Sequence, residues 1–166
     1  QFRMTVLDVG QGDAIFFEFP KGGNMLIDAG KGLASDQGRW VVAPFLKSKG
    51  IRTIDAVVAT HPQEDHIGGL PTVLDEFKVK NFIDSNASYR SKLAERLKGK
   101  VISERAHHVV ARRGMSLDRF KDIKIDVLSP SDELVGDKNV NNACVVLKIT
   151  YDKTSFLLTG DIEDKV

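Results

Sequence analysis

"THPQEDHIGG", residues 60–69, sets two histidines and two acids within six residues and follows them with a Gly-Gly step. Imidazole nitrogen and carboxylate oxygen are donors that suit zinc, manganese or iron. The run before it, "IDAVVAT" (54–60), is almost continuously apolar, as expected of a strand buried on both faces. After it, "GLPTVLDEF" (69–77) resumes at helical spacing. The stretch thus reads as a strand–loop–helix turn, with His61 leaving the end of a buried strand. The alternating positions His61, Gln63 and Asp65 can point to one side of an extended loop, while Asp65 and His66 fall near the start of the helix. Pro62 stiffens the loop. Gln63, however, stands where the alternation would place another strong ligand, and glutamine is a poor one. Three readings remain open on this stretch alone: a working metal centre, a weakened one, or a polar loop in which Asp65 caps a helix.

Two other acids end apolar runs, Asp28 in "MLIDAG" (25–30) and Asp161 in "FLLTGD" (156–161). An acid there lies at a sheet edge, where sites are commonly assembled. Asp161 could bridge two metals through its two oxygens, and Asp28 could fix a ligand histidine from behind.

Working outward, "FRMTVLDVG" (2–10) alternates as a strand, "QGD" turns it, and "AIFFEF" (14–19) returns. "NMLIDAG" (24–30) is a third strand, "KGLASDQG" (31–38) a loop, and "RWVVAPFLKSKG" (39–50) a helix closed by Gly50. Beyond the central loop come a strand in "VKNFIDS" (79–85) and a helix in "SYRSKLAERLKG" (88–99) closed by Gly99. Short antiparallel strands are expected around Gly114, and "NNACVVLKITYDKTSFLLTGDIE" (141–163) reads as a hairpin. The class is α+β, helices packed on sheets, in a single domain over 1–166.

With 42% hydrophobic and 28% charged residues, the chain has the composition of a globular domain with one core. Its one cysteine, Cys144, excludes an internal disulfide and a Cys-rich zinc module, and reads as a small buried hydrophobe. No apolar run approaches the roughly 18 to 20 residues that span a bilayer. The chain opens on Gln1 rather than Met, which points to residues upstream and leaves localisation unreadable from this end. Charge is uneven. Between Lys78 and Lys124, thirteen Lys and Arg face five Asp and Glu, a net +8, so the remainder carries −7 within a total of +1. A basic middle beside acidic flanks suits a polyanion-binding face with acids gathered at a metal site, and equally a solvated helix and hairpin.

Together, "THPQEDHIGG", "LIDAG" and "LLTGD" resemble the metallo-β-lactamase superfamily, whose signature is H-x-H-x-D-H. More narrowly, "VLDVGQGDAIFFEFPKGGNMLIDAG", "VVAPFLKSKGI" and the late hairpin are similar to the hydrolase-like domain of ComEC-type DNA-uptake competence proteins. The resemblance runs almost from end to end. It implies a metallo-β-lactamase-like αββα sandwich, C-terminally incomplete in this chain, with its metal site at one edge of the two sheets. It further implies a phosphodiesterase that degrades the DNA strand not imported, and an extracytoplasmic domain attached to the membrane-embedded transport portion of a bacterial inner-membrane protein. Position by position, His61, Asp65 and His66 match ligands, Asp161 the bridging acid and Asp28 the first acid of the superfamily. Asp65 and Asp161 are the catalytic candidates.

Three departures qualify the match. Gln63 replaces the second ligand, Asn141-Asn142 stand where a histidine precedes the hairpin, with Asn142 the candidate, and the chain stops at Val166 before the family's last metal motif. His107 and His108 lie well upstream and read as strand or basic-face residues. Gln and Asn oxygens beside His and Asp make a harder site, favouring Mn2+ over tightly held Zn2+, with Mg2+ also accommodated. The missing motif implies weak or absent binding of a second metal. The basic segment, through Arg90, Lys92, Arg96, Lys98, Lys100, Arg112 and Arg113, would hold single-stranded DNA with salt-dependent affinity. Competing readings are a nucleic-acid-binding module that has lost catalysis and a hydrolase of small esters or nucleotides on the same fold.

Overall fold

The computed structural model of the chain describes residues 1–32 and 35–163, so the centre of the expected loop 31–38 and the last three residues fall outside the description. Strands β1 (Arg3–Val6), β2 (Ile15–Glu18) and β3 (Asn24–Ile27) form an antiparallel meander. Strands β4 (Thr53–Val58), β5 (Lys78–Asp84) and β6 (His107–Val110) extend the same sheet in parallel, in the order β1-β2-β3-β4-β5-β6. Parallel pairing requires crossovers. These are α1 (Ala43–Ser48), entered through a wide turn at Gly38–Val42, then α2 (Glu64–Ile67) with α3 (Leu70–Glu76), and α4 (Lys92–Ser103). A second, antiparallel sheet holds β7 (Ile123–Ser129), β8 (Val146–Tyr151) and β9 (Thr154–Leu158). Between β7 and β8 lie α5 (Asp132–Val135) and a 3-10 turn, Val140–Ala143.

Strand β4 is central because both of its faces are buried. Ile54 and Val57 face the helices, packing with Leu46, Leu70 and Val73, whereas Ala56 and Val58 face the second sheet, packing with Ile125, Val127 and Leu147. Each fully buried aliphatic side chain of this kind contributes about 1.5–3 kcal/mol. The described residues thus build the helix–sheet–sheet layers of the expected sandwich.

Two local expectations change. The fourth helix is not closed by Gly99 but continues to Ser103. Gly99 is exposed with nothing near it, so it costs only its intrinsic ~1 kcal/mol, while Ala94, Leu97 and Val101 bury a continuous stripe through it. Ser91 caps the start, its hydroxyl accepting the Ala94 N–H. Secondly, His107–Val110 takes no part in the antiparallel pairing expected around Gly114: it joins β5 in parallel, while residues 114–117 run antiparallel to β7 through backbone bonds of Gly114, Met115 and Leu117 to Val127 and Ile125 and a bridge between Ser116 and Asp126. The α4 crossover delivers the chain to the start of a parallel strand, which local sequence could not reveal.

Parallel β3, β4 and β5 end at one sheet edge, and Asp28, Thr60 and His61 follow the ends of β3 and β4 directly. The Gly-Gly step holds the helical turn against that edge. A Cβ on Gly68 would meet the backbone of Gly32, and one on Gly69 the backbone of Ala29 and Gly38, all inside van der Waals contact. Only glycine permits this approach.

Candidate metal centre

Asp28 anchors the site. It is wholly buried at φ 55, a left-handed conformation that Asp tolerates better than most residues. Its Oδ1 accepts the Thr60 N–H at 2.8 Å and its Oδ2 accepts the Thr60 hydroxyl at 2.6 Å. His66 Nδ1 lies 2.8 Å from the same Oδ2 and donates to it. The Thr60 proton is thereby committed to Asp28, so the Thr60 oxygen accepts from His61 Nδ1 at 3.1 Å. One buried carboxylate therefore sets both tautomers, directly for His66 and through Thr60 for His61. Both leave Nε2 as the free donor atom, the arrangement found behind metal-ligating histidines.

Those nitrogens converge. The two rings lie 4.1 Å apart between centroids, and His66 Nε2 is 3.3 Å from Asp161 Oδ1. Donor atoms of His61, His66 and Asp161 all fall within 4.8 Å of one another, and those of Asp13, Asp28 and His66 form a second such group. Excess negative charge governs the electrostatics. Burial opposes protonation of His66, yet the hydrogen bond and charge of Asp28, with Asp161 and Asp13, override it and push its pKa up to about 9. His61 moves down, through burial and then the neighbouring His66. Burial raises Asp13. A pocket that holds an extra proton this firmly is one that a cation would fit.

Gln63 answers the opening question in part. Its Oε1 lies 3.2 Å from His61 Nε2. Since that nitrogen carries a lone pair, two acceptors face each other, an arrangement that a shared cation relieves. With the amide turned over, its N–H would instead occupy the nitrogen. Asn142 is buried, and among the described residues neither its Oδ1 nor that of the partly buried Asn141 finds a hydrogen-bond partner. Such orphan oxygens call for an explanation, and a nearby ion is one. Asn142 precedes Val145, whose N–H bonds the Thr60 carbonyl at 2.8 Å, so this turn is tied to the histidine loop. The donor set of two imidazoles, carboxylates and amide oxygens fits a divalent cation.

Asp65 stands outside both groups. Its Oδ2 accepts from Gln11 Nε2 at 3.0 Å, and Lys31 holds Gln11 at 2.8 Å. Asp13, not anticipated from sequence, joins instead. Its signal was weaker than that of Asp28 and Asp161: an acid beside Gly12, ahead of strand β2 rather than at the end of one. Thr60 carried no comparable signal. Cys144 is buried, and burial raises its thiol to about 12, so it is inert at neutral pH. His107 and His108 lie on β6, His108 bonded to Asp84 at 2.8 Å.

Because β5 runs parallel to β4, Arg90 and Lys92 follow the strand end neighbouring His61. Arg90, Lys92, Arg96, Lys98 and Arg113 are exposed. Lys100 pairs with Asp75, and Arg112 is engaged by Asp132 and the Ser85 and Ala111 carbonyls.

Comparison with known proteins accords with this geometry. The chain is 33% identical over 180 residues to ComE operon protein 3 of Bacillus subtilis (strain 168), and 26% identical over 164 residues to competence protein ComA of Neisseria gonorrhoeae. These matches cover 97% and 98% of the chain but 22% and 20% of the relatives, so it spans about a fifth of their length. Among solved structures, MEM-A1, a subclass B3 metallo-beta-lactamase from a soil metagenome library, superposes with TM-score 0.61 at 14% identity, over 93% of this chain and 58% of that one. CmlA, a diiron beta-hydroxylase from Streptomyces venezuelae, gives 0.59 at 18% identity, over 96% and 30%. At such identities these structures speak for the fold alone. A family profile described as metallo-beta-lactamase superfamily matches residues 7–163, and the chain belongs to that superfamily.

Proposed function

We propose that this domain is a metal-dependent phosphodiesterase that cleaves DNA, preferentially single strands, in the setting of DNA uptake. The observation that carries the reading is the gathering of ligand atoms of His61, His66 and Asp161 within 4.8 Å of one another, with Asp28 and Thr60 locking both rings behind them. A divalent ion in such a site supplies Lewis-acid activation of water and of a phosphoryl oxygen. The chain's own residues hold the ligand nitrogens in the required tautomer, keep the carboxyls of Asp13 and Asp161 beside them, and present exposed cations along the same edge.

Gln63 and the asparagine oxygens favour Mn2+, with Mg2+ and Zn2+ as alternatives. Asp65, held by Gln11, is placed in this reading as an outer acid that engages a second ion weakly. The competence relatives support a DNA-uptake setting, and the proposal takes DNA as the substrate and an extracytoplasmic location beside a membrane-embedded transport portion from the ComEC-type resemblance. Among the described residues, no helix is long and apolar enough to cross a membrane.

The test is hydrolysis of labelled single-stranded DNA with Mn2+, Mg2+ or Zn2+, using the wild type, His61→Ala and Asp161→Ala. Mn2+-dependent cleavage abolished in both variants is expected. Equal cleavage by all three proteins would overturn the assignment. Metal-free protein that binds DNA but never cleaves it would favour a binding module, the reading to which an inward-turned Gln63 amide lends support.

A further inference from the structure

A cleft runs from His61 along the C-terminal end of β5, between that strand and α4. Its first section, lined by His61, Phe82, Tyr89, Leu97 and Lys98 among others, is a narrow slot of about 40 Å3 that is partly open to solvent. A second, wider section of about 280 Å3 shares Phe82, Asp84, Asn86 and Lys98 with the first and reaches His108. Only the wider section comes close to the ~300 Å3 at which small-molecule sites begin, so the two together suit a flat group rather than a bulky one, and the chemistry follows the usual plan of an apolar floor with few polar groups.

The floor is buried: Phe82, Ala94 and Leu97 are at most 7% exposed. Tyr89 stands at the rim, 40% exposed. The polar groups are fixed in place. Asp84 Oδ1 accepts the Asn86 N–H and His108 Nε2, both at 2.8 Å, and Asn86 Oδ1 accepts from Lys98 at 3.3 Å. Asp84 Oδ2 and the Asn86 amide NH2 make no hydrogen bond to the described residues. An aromatic face, an ammonium, a free acceptor and a free donor therefore meet in one slot that opens beside a ligand histidine.

This combination fits one ligand class: a planar heteroaromatic ring with hydrogen-bonding edges, attached to a phosphate. We infer that the cleft receives an unpaired nucleobase next to the phosphodiester at the metal centre, with Tyr89 stacking on the base, Asp84 and Asn86 meeting its edge, and Lys98 holding the adjacent phosphate. The inference rests on the phosphodiesterase reading and extends it by naming the selectivity device. A base in a duplex has its face stacked and its pairing edge occupied, so only single strands or frayed ends can enter.

The experiment separates base binding from cleavage. Affinities of a labelled thymidine dodecamer and of an abasic strand of equal length are measured by fluorescence anisotropy in EDTA, so that no turnover occurs. The thymidine strand is expected to bind about tenfold more tightly than the abasic one, as stacking on one aromatic side chain provides. Tyr89→Ala abolishes that preference without changing abasic affinity, and Tyr89→Phe retains it. Lys98→Ala weakens both strands and lowers the salt slope by about one. Equal affinity of the wild type for both strands, or equal loss of both in Tyr89→Ala, would overturn the inference. Base-dependent binding without Mn2+-dependent cleavage sinks the hydrolase reading and leaves the cleft standing; cleavage with base-independent binding does the reverse.

Discussion

Replacing Asp28 with Asn changes one atom at the centre of the network and leaves its shape intact. Asn also tolerates the left-handed backbone at this position, which Ala would not. The amide oxygen can keep the Thr60 N–H, but an NH2 would replace Oδ2, which accepts from both the Thr60 hydroxyl and His66 Nδ1. Two donors would then confront a third. Hydrogen bonds to a charged acceptor contribute about 1.5–3 kcal/mol each, so losing two costs about 3–6 kcal/mol before any rearrangement. Rearrangement is available: His66 can move its proton to Nε2 and accept at Nδ1, and the Thr60 hydroxyl can turn towards His61. The folding cost then falls, but the His66 nitrogen that faces Asp161 no longer has a lone pair. We expect Asp28→Asn to stay folded with a lowered urea midpoint, to show the Nε2–H tautomer of His66 in imidazole 15N spectra, and to bind Mn2+ about 10- to 100-fold more weakly by calorimetry, the usual range for loss of a ligand's supporting group. An unchanged tautomer together with unchanged Mn2+ affinity would refute the reasoning.

Thr60→Val removes the relay to His61 while keeping a β-branched side chain; the His61 Nδ1–H left unpaired, with Asp28 Oδ2 losing one of its two donors, should cost about 1–3 kcal/mol in chemical denaturation, and Mn2+ affinity should fall less than in Asp28→Asn. Gly69→Ala drives a Cβ into the backbone of Ala29 and Gly38, so a loss at or above the ~1–3 kcal/mol of ordinary overpacking is expected; a melting temperature equal to wild type would count against the close approach. The two histidines give opposing pH effects in metal-free protein. His66, raised from 6.5 to about 9, stabilises fully below pH 6.5 and loses that contribution as pH rises through about 9. His61, depressed from 6.5, stabilises above pH 6.5 and loses its contribution as pH falls below. A melting temperature that peaks near pH 6.5 without metal is expected, and a monotonic rise from pH 6.5 to 9.5 would contradict the His66–Asp28 pairing.

Period and donor chemistry made much of this molecule legible. The apolar run 54–60 read as a strand buried on both sides, which β4 is, and the histidines beyond it emerge where that strand ends. Acids beside glycines at strand ends pointed to Asp28 and Asp161 for the same reason. What sequence could not supply was long-range. Asp13 sits 15 residues before Asp28 by number, yet its backbone carbonyl accepts the Gly30 N–H at 2.9 Å, which brings its acid into the site. The alternation that grouped Asp65 with His61 fails because α2 begins at Glu64, turning Asp65 towards Gln11 instead. Likewise, a glycine inside α4 looked like a stop because its neighbours' burial against the sheet was invisible in one dimension.

The most direct measurement is an anomalous difference map from crystals of the protein soaked in Mn2+. One peak within bonding distance of His61 Nε2, His66 Nε2 and an Asp161 oxygen is the predicted result. No peak at that point, with Gln63 donating its amide N–H to His61 Nε2, would contradict the metal centre.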